Sequence, residues 1–322
     1  MNTNQIEPVL IDYQHGITCI DAMYMQTGHA CCYLMIEKDR AAFIDTGTSH
    51  SVPYLLETLK LKNLSVEDVD YVIPTHVHLD HAGGAGTLMS KLPNAKLVIH
   101  PRGAAHMINP EKLIAGTIAV YGEETFKKLY GEIIPIEEAR VIIAEDEHEI
   151  NLNNRILKMV DTPGHARHHF CIYDETSQGF FTGDTFGLSY KELDNEDGAF
   201  ILPTTTPVQF EPDAWQHTLS RMLAHHPKNM YLTHYGRVTE IERLSKQLRE
   251  GIDEYANLAN SCVKDKDREQ SIKEKLTQHL QAQLRKRYPE NQIIKFIELF
   301  DSDLDLNAAG LEVWLKRQEK AA

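Results

Sequence analysis

The sequence predicts a layered α/β domain followed by a helical extension, and two observations carry this prediction. From Ile17 to Leu232, short apolar runs bounded by turn residues alternate with stretches of helical periodicity. That alternation is typical of strands interleaved with helices in an α/β fold. After Arg237 the apolar residues recur at steps of three and four, as they do in amphipathic helices. We therefore expect a domain over residues 1–237 and a helical extension over residues 238–322.

Strands are expected where β-branched and aromatic residues cluster between turn signals. These runs are Thr18–Met25, His29–Ile36, Arg40–Asp45, Tyr71–Thr75, Lys96–His100, Arg140–Ala144, Ile156–Val160, Phe170–Tyr173, Phe180–Thr182 and Met230–Leu232. Helical patterns lie between them at Ser51–Lys60, Gly86–Lys91, Glu124–Tyr130 and Pro212–His225. Pro53 fits the first turn of its helix, where the missing N–H has no intrahelical partner to lose.

The extension is expected to contain three amphipathic helices and a shorter fourth one. Its regularly spaced apolar residues are Ile241, Leu244, Leu248, Ile252, Tyr255, Leu258 and Cys262, then Ile272, Leu276, Leu280 and Leu284, then Ile293, Ile297 and Phe300. The short helix is predicted around Leu311–Leu315, and Pro289 and the acidic turn Asp301–Asp305 are expected to separate the helices. Because few groups suited to chemistry occur here, we expect the extension to pack against or cap the domain.

The composition limits the kinds of partner that the protein can have. A formal net charge of −14 implies an acidic surface that repels phosphate backbones, so we expect no nucleic-acid partner. Apolar runs fall short of the roughly 18–20 residues that cross a bilayer, and the first residues lack a secretory signal. Five cysteines without paired spacing are typical of a reducing compartment. We expect a cytoplasmic protein with a small-molecule partner, without a membrane partner, and a homodimer is compatible with this composition.

The stretch Thr75-His-Val-His-Leu-Asp-His-Ala-Gly-Gly84 directly follows a predicted strand. In extended backbone His76 and His78 face the same side, and Asp80 and His81 follow where the chain turns. Three imidazoles and one carboxylate so close together would destabilise the fold if they had no partner. A metal ion is the simplest partner, and these donors suit zinc, iron and manganese. The stretch therefore predicts a metal site.

Three further candidate ligands each follow a predicted strand. His165 ends the segment Asp161-Thr-Pro-Gly-His, Asp184 lies in Thr182-Gly-Asp-Thr185, and His234 ends Tyr231-Leu-Thr-His. Side chains that leave strand ends at one edge of a sheet can converge there. Each of these signals is weak alone, and together with the first stretch they indicate one metal centre.

This set of motifs resembles that of the metallo-β-lactamase fold hydrolases, especially the glyoxalase II-like branch, over about residues 17–237. The resemblance implies a four-layer αββα sandwich with the helical extension appended. It assigns His76, His78 and His165 to one metal ion. It assigns Asp80, His81 and His234 to a second ion, with Asp184 bridging both. Asp45 and His169 match residues that support the ligands from the side away from the metal.

The resemblance also implies the chemistry. Two divalent metal ions per chain, with zinc expected and iron or manganese as alternatives, would lower the pKa of a bridging water. The resulting hydroxide would attack a small-molecule thioester, ester or lactone, and Asp80 would steer it or carry its proton as the catalytic side chain. Four residues that flank ligands are candidates for lining the substrate pocket, with packing near the core as the alternative for each: Phe186, Tyr190, Tyr235 and Arg237.

Some residues depart from the family pattern. Arg167 and His168 stand where the family has a small residue and a glycine, and we expect His168 to be structural. His29 matches no motif and is also expected to be structural. The extension resembles that of glyoxalase II-like thioesterases, but the basic groups that bind glutathione there have no match here. A glutathione thioester is therefore not the favoured substrate.

Three other functions remain open at this level. One is a phosphodiesterase built on the same two ions. Another is a mononuclear iron enzyme resembling the persulfide dioxygenases of this fold, against which the full second set of Asp80, His81 and His234 argues. The last is a metal-dependent binder without catalysis, which would hold metal and hydrolyse no activated ester, thioester or lactone.

Overall fold

A computed structural model describes residues 6–205 and 208–321. The chain divides into two compact units. The first unit consists of Met1–Asp161, His168–Gly183 and His226–Thr239. The second unit consists of Thr162–Arg167, Asp184–His225 and Glu240–Ala322. The division predicted at residue 237 stays a prediction, because these units follow contacts rather than chain order.

The first unit contains a seven-stranded mixed sheet in which the strands follow chain order. β1 to β4 pair antiparallel, and β4 to β7 pair parallel. The strands are β1 (Leu10–Tyr13), β2 (Ile17–Asp21), β3 (Cys31–Glu37), β4 (Arg40–Ile44), β5 (Val69–Ile73), β6 (Lys96–Ile99) and β7 (Val141–Ile143). Because β4 and β5 are parallel, their carboxyl ends lie at the same edge of the sheet.

A second, six-stranded sheet also belongs to the first unit, with the order β13-β12-β11-β10-β9-β8. Its strands are β8 (His148–Leu152), β9 (Arg155–Asp161), β10 (Phe170–Asp174), β11 (Gly179–Gly183), β12 (Asn229–Leu232) and β13 (Gly236–Val238). Only β11 and β12 pair parallel among these described strands. Their carboxyl ends therefore also share one edge.

The two sheets pack face to face through aromatic side chains. The ring centroid of Tyr33 in β3 lies 5.2 Å from that of Phe181 in β11 and 5.8 Å from that of Tyr231 in β12. The Tyr33 hydroxyl donates to the Leu232 carbonyl at 2.5 Å. This bond satisfies the one polar group of a fully buried side chain, which would otherwise be costly to desolvate.

Helices cover the outer face of the seven-stranded sheet. They are α1 (Val52–Leu61), α2 (Leu79–Ala82), α3 (Ala85–Met89), α4 (Pro101–Ile108), α5 (Glu111–Tyr121) and α6 (Glu123–Tyr130). Leu55 of α1, Leu88 of α3 and Met107 of α4 join strand residues such as Phe43 and Leu97 in one apolar core. The buried residues of these helices recur at the helical period, as expected for helices with one apolar face.

The second unit is largely helical. Its helices are α7 (Pro212–Ala224), α8 (Ile241–Ser261), α9 (Arg268–Leu284), α10 (Glu290–Leu299) and α11 (Asp301–Ala321). The regularly spaced apolar residues of the extension form the buried faces of α8 and α9, for example Leu244, Leu248 and Leu276. No helix within residues 6–205 and 208–321 is long and apolar enough to cross a membrane.

Two local predictions were wrong. The first strand was expected to reach Met25, but β2 ends at Asp21, whose carboxylate accepts the backbone N–H of Met23 at 2.7 Å and of Gly28 at 2.6 Å. An aspartate that binds nearby backbone amides favours a turn over a continuing strand. The acidic run Asp301–Asp305 was expected to be a turn before a short helix around Leu311–Leu315, but both belong to the single 21-residue helix α11. Carboxylates in a first helical turn are stabilised by the exposed N–H groups there.

Candidate metal centre

The segment after β5 bends at residues 75–77 and carries His76 and His78 at the carboxyl edge of the sheet. The ring centroids of the two histidines lie 4.4 Å apart, and Nε2 of His76 is 2.8 Å from Nδ1 of His78. His76 is fully buried and His78 is half-buried. The sequence predicts that both imidazoles lie on one side of extended backbone; they do lie together, but the chain bends at residues 75–77 and this bend brings them there.

Asp80, His81 and His234 form a second group of donors in the first unit. One ligand atom of each lies within 4.8 Å of the others. Oδ2 of Asp80 is 3.6 Å from Nε2 of His81 and 3.3 Å from Nε2 of His234. Asp80 and His81 start the short helix α2, and His234 follows the end of β12. Residues about 150 positions apart in the sequence thus meet at one edge of the fold.

Asp45 holds His81 from the side away from this group. Its Oδ2 accepts from Nδ1 of His81 at 2.8 Å and from the Thr233 hydroxyl at 2.6 Å. Its Oδ1 accepts the backbone N–H of Thr75 at 2.7 Å. Because Nδ1 of His81 carries the proton that Asp45 accepts, the lone pair of Nε2 is available to a cation.

His234 is oriented in the same way by a backbone carbonyl. Its Nδ1 lies 2.7 Å from the carbonyl oxygen of His29, so the ring donates there and keeps the Nε2 lone pair for a cation. The neighbouring Thr233 carbonyl accepts the N–H of Cys31 at 2.8 Å, which ties β3 to the end of β12. Sequence reasoning treated His29 as structural and missed this role, because a backbone acceptor has no signature in residue type.

His168 and His169 lie beside the first histidine pair. The ring of His169 stacks on that of His76 with 4.8 Å between centroids and 27° between planes. The ring of His168 lies 6.0 Å from His76 and 5.4 Å from His78. Both residues are buried. The segment is held in place because Phe170 donates its N–H to the Thr75 carbonyl at 3.0 Å.

Gly183 allows β11 to approach these histidines closely. A Cβ atom built on Gly183 would lie 2.5 Å from Oγ1 of Thr75 and 2.6 Å from Nε2 of His169, and the residue has a φ of +47°. Both the lack of space for a side chain and the left-handed backbone therefore require glycine. The sequence marks this glycine as part of a motif but does not show the contact that explains it.

His165 and Asp184 lie together in the second unit. Oδ2 of Asp184 is 3.3 Å from Nε2 of His165. Nδ1 of His165 lies 2.9 Å from the carbonyl oxygen of Thr204, so the ring donates there. The Trp215 ring packs edge-on against His165 at 6.1 Å, and its N–H donates to the Thr185 carbonyl at 2.6 Å. His165 thus presents Nε2 to the same region as the carboxylate.

Two of the predicted pocket residues belong to the first unit, where both have protein partners. The Tyr235 hydroxyl donates to Oδ2 of Asp21 at 3.3 Å. Burial raises the pKa of this hydroxyl well above its usual range, so it stays protonated. The Arg237 guanidinium lies 4.9 Å from the centre of the Tyr13 ring, a cation–π contact. A contact of either residue with substrate stays a prediction.

The other two predicted pocket residues belong to the second unit and are buried. Phe186 is fully buried. The Tyr190 hydroxyl lies 3.2 Å from both carboxylate oxygens of Asp303 in α11, and its ring lies 5.2 Å from that of Phe300. These contacts place Tyr190 in the packing between a loop and the extension. A substrate contact stays a prediction here too.

The donor set fits a borderline divalent cation. Imidazole nitrogens and carboxylate oxygens suit zinc, iron and manganese, and three or four such groups per ion are usual. Three of the histidines have Nδ1 engaged by Asp45 or by a backbone carbonyl. This arrangement of outer hydrogen bonds is typical of histidines that ligate through Nε2. A donor set of this kind at the strand ends of an α/β sandwich is typical of a metal-binding site.

The sequence matches the family model described as "Metallo-beta-lactamase superfamily" over residues 27–234. The chain therefore belongs to the metallo-beta-lactamase superfamily. This match and the relatives below confirm the predicted family, the α/β sandwich with its helical extension, and the class of metal-dependent hydrolase.

Three similar proteins illustrate the family. The chain is 27% identical over 214 residues to the metallo-beta-lactamase fold-containing protein ST1585 of Sulfurisphaera tokodaii, covering 65% of this chain and 74% of that protein. The crystal structure of ST1585 superposes with a TM-score of 0.60 at 24% identity, covering 74% of this chain and 86% of that one. The acyl-coenzyme A thioesterase MBLAC2 of Homo sapiens is 26% identical over 187 residues, covering 52% of this chain and 63% of MBLAC2. Hydroxyacylglutathione hydrolase 1 of Vibrio vulnificus is 25% identical over 169 residues, covering 50% of this chain and 52% of that enzyme.

Proposed function

We propose that this protein hydrolyses a small-molecule thioester, ester or lactone with two divalent metal ions bound per chain, zinc being the expected ion. The group of Asp80, His81 and His234 carries this proposal, because its donor atoms lie within 4.8 Å of one another. Both of its histidines have Nδ1 engaged elsewhere, which leaves Nε2 to a cation.

The proposed ligands form two sets. Asp80, His81 and His234 would hold one ion, and His76, His78, His165 and Asp184 would hold the other. The resemblance to the family implies that Asp184 would also serve the first ion. The contacts of His76 with His78 in the first unit and of His165 with Asp184 in the second support this assignment. The family match includes all of these positions.

The side chains then have distinct tasks. Bound ions supply a water of lowered pKa and polarise the carbonyl that is attacked. Asp80 is half-buried and beside both histidines of its group, so its second carboxylate oxygen can accept and pass on a proton. Asp45 and the His29 carbonyl keep His81 and His234 in the tautomer that ligates. No serine or cysteine nucleophile is needed for this reaction.

The named relatives favour a thioester. One of them is an acyl-coenzyme A thioesterase and another is a hydroxyacylglutathione hydrolase. Both hydrolyse a thioester by their names, and the chain spans only 63% and 52% of their lengths. A phosphodiesterase and a one-iron oxygenase are the alternatives. A one-iron site would leave Asp80, His81 and His234 as a second, unused set of ligands, so two ions are favoured.

Metal analysis coupled to a substrate panel tests the proposal. We expect about two divalent ions per chain and turnover of thioesters or lactones, with little turnover of phosphodiesters. His81→Gln should lose one ion and most of the hydrolysis. His217→Gln changes an exposed histidine of α7 and is the matched control. It should keep both metal ions and the full rate of hydrolysis. One iron per chain with oxygen uptake, or metal without hydrolysis of any activated acyl compound, would refute the proposed function.

A further inference from the structure

We propose that Asn307, in helix α11 of the extension, is a positioning residue for the metal ligand His165. The inference rests on the proposed function, since it takes His165 as a ligand. It goes beyond that function, because it gives the helical extension a part in building the metal centre. All the residues that carry it belong to the second unit.

The first link joins His165 to the segment before α7. Nδ1 of His165 donates to the Thr204 carbonyl at 2.9 Å. This bond sets both the tautomer and the rotation of the ring, so that Nε2 lies 3.3 Å from Oδ2 of Asp184. A shift of the Thr204 carbonyl would therefore move the donor nitrogen that is proposed to bind the ion.

The second link holds that carbonyl in place. Thr204 and Thr205 lie outside regular secondary structure, so no strand or helix ladder fixes them. Oδ1 of Asn307 accepts the Thr205 N–H at 2.5 Å and the Thr205 hydroxyl at 3.0 Å. That hydroxyl also lies 3.1 Å from the Asn307 carbonyl, and Nδ2 of Asn307 lies 3.5 Å from the Pro203 carbonyl. One side chain thus replaces the bonds that a neighbouring strand would make.

Burial makes these bonds consequential. Thr205 is fully buried and Asn307 is 3% exposed. A buried N–H or hydroxyl that loses its acceptor cannot turn to water, so the segment must shift or bear the cost. Leucine could fill this helical position by packing alone. The hydrogen bonds of the amide group are what asparagine adds here.

A second contact from the same helix leads to the residue before His165. The guanidinium of Arg317 donates to the Val208 carbonyl at 3.1 Å and to Oε1 of Glu211 at 2.8 Å. Glu211 in turn donates its N–H to the carbonyl of Gly164, the residue before His165, at 2.8 Å. Helix α11 therefore contacts both chain segments that set the position of this histidine.

Two variants and one control test the role of Asn307. Asn307→Leu keeps the branched shape with a somewhat larger volume and removes the acceptor, whereas Asn307→Asp keeps an oxygen where Thr205 donates. Glu312→Leu is the matched control, because Glu312 is buried in the same helix and bonds within the extension, to Arg268 at 3.2 Å and Lys316 at 3.2 Å. Metal affinity is measured by chelator competition and cobalt absorption, and stability by urea unfolding.

The expected result separates positioning from general packing. Asn307→Leu should weaken one of the two metal affinities by about ten- to a hundredfold, the usual effect of losing an outer hydrogen bond to a ligand. It should also lower kcat with a smaller change in KM, and change the cobalt spectrum. Asn307→Asp should restore most of the metal affinity, of kcat and of the cobalt spectrum. Glu312→Leu should lower stability and leave both metal affinities unchanged.

A milder variant keeps the test decisive should Asn307→Leu fail to fold. Thr205→Val removes only the hydroxyl and should shift the same metal affinity in the same direction by a smaller factor. Wild-type metal affinities and cobalt spectra in folded Asn307→Leu or Thr205→Val would overturn the inference. Absence of bound metal in the wild-type protein would instead refute the proposed function on which the inference rests.

Discussion

Oδ2 of Asp45 lies 2.8 Å from Nδ1 of His81, with both side chains fully buried. The same carboxylate accepts from Thr75 and Thr233, so it ties together the carboxyl ends of β4, β5 and β12. Asp45 has a φ of +54°, a left-handed conformation that costs free energy for a residue with a Cβ. The network that holds this conformation is therefore also the one that orients a proposed metal ligand.

Asp45→Asn should weaken metal binding by the group that contains His81. The amide nitrogen of asparagine would face groups that donate to Asp45 now, and the charge that increases the basicity of the imidazole would be lost. We expect the affinity of one ion to fall by about ten- to a hundredfold, measured by chelator competition. Asp70→Asn is the control, because Asp70 pairs with Arg40 at a partly exposed position. Equal metal affinity in both variants would contradict this role of Asp45.

Asp184→Asn tests the proposed bridging ligand. Loss of the negative charge between two cations should reduce the binding of both ions and lower hydrolysis by about two orders of magnitude or more. Metal content and kcat/KM are measured on the same preparation. Asp194→Asn changes a half-exposed aspartate of the same unit that pairs with Lys191, and it should behave as wild type. Near-normal activity of Asp184→Asn would show that the residue does not bridge.

Gly183→Ala should lower both stability and activity. The new Cβ would overlap Thr75 and His169, and the left-handed backbone adds strain. We expect the free energy of unfolding to fall by about 2–4 kcal/mol. Gly116→Ala is a matched comparison, since Gly116 lies in the interior of α5 with open space around it. That change should raise the free energy of unfolding by about 0.5–1 kcal/mol. A neutral Gly183→Ala would contradict the close approach described above.

His279 gives the extension a dependence on pH. Burial lowers the pKa of His279 below the usual histidine value of about 6.5, the nearby Glu254 opposes this shift, and Lys286 adds to it. Because the folded protein binds this proton less tightly than the unfolded chain, His279 costs no stability above about pH 6.5 and costs stability as the pH falls below it. His279→Gln should therefore lose less stability than wild type between pH 7 and pH 5 in urea unfolding. Parallel losses in the two proteins would contradict this account.

Much of the fold could be predicted because it follows from periodicity. The strands from β3 to β7 and the helix α8 coincide closely with apolar runs in the sequence. The missed elements include β1, β8, β13, α4 and α5, and several of them carry only a weak signal. β1 has exposed or half-buried residues throughout, and β13 has three residues. In α5 the inward residues Leu113, Ile114 and Ile118 are only half-buried, and its exposed side also carries apolar residues such as Val120, so the two faces differ little in the sequence.

The candidate site could also be predicted only in part from the sequence. The ligands could be predicted because histidine and aspartate are residue types that bind metal ions. Asp45 could be predicted from the resemblance to the family. The carbonyls of His29 and Thr204 could not, since every residue has one and only the fold decides where it points. Asn307 is one asparagine in a polar helix, and its bonds to Thr205 connect residues 102 positions apart. Contacts of that kind follow from tertiary structure alone.

The most direct test of the account is a crystal structure of the zinc-loaded protein with anomalous scattering measured at the zinc edge. Two peaks per chain are expected. One should lie among Asp80, His81 and His234, and the other among His76, His78 and His165, with Asp184 touching both. A single peak, or peaks that His234 or His165 does not contact, would contradict a centre built from these seven side chains.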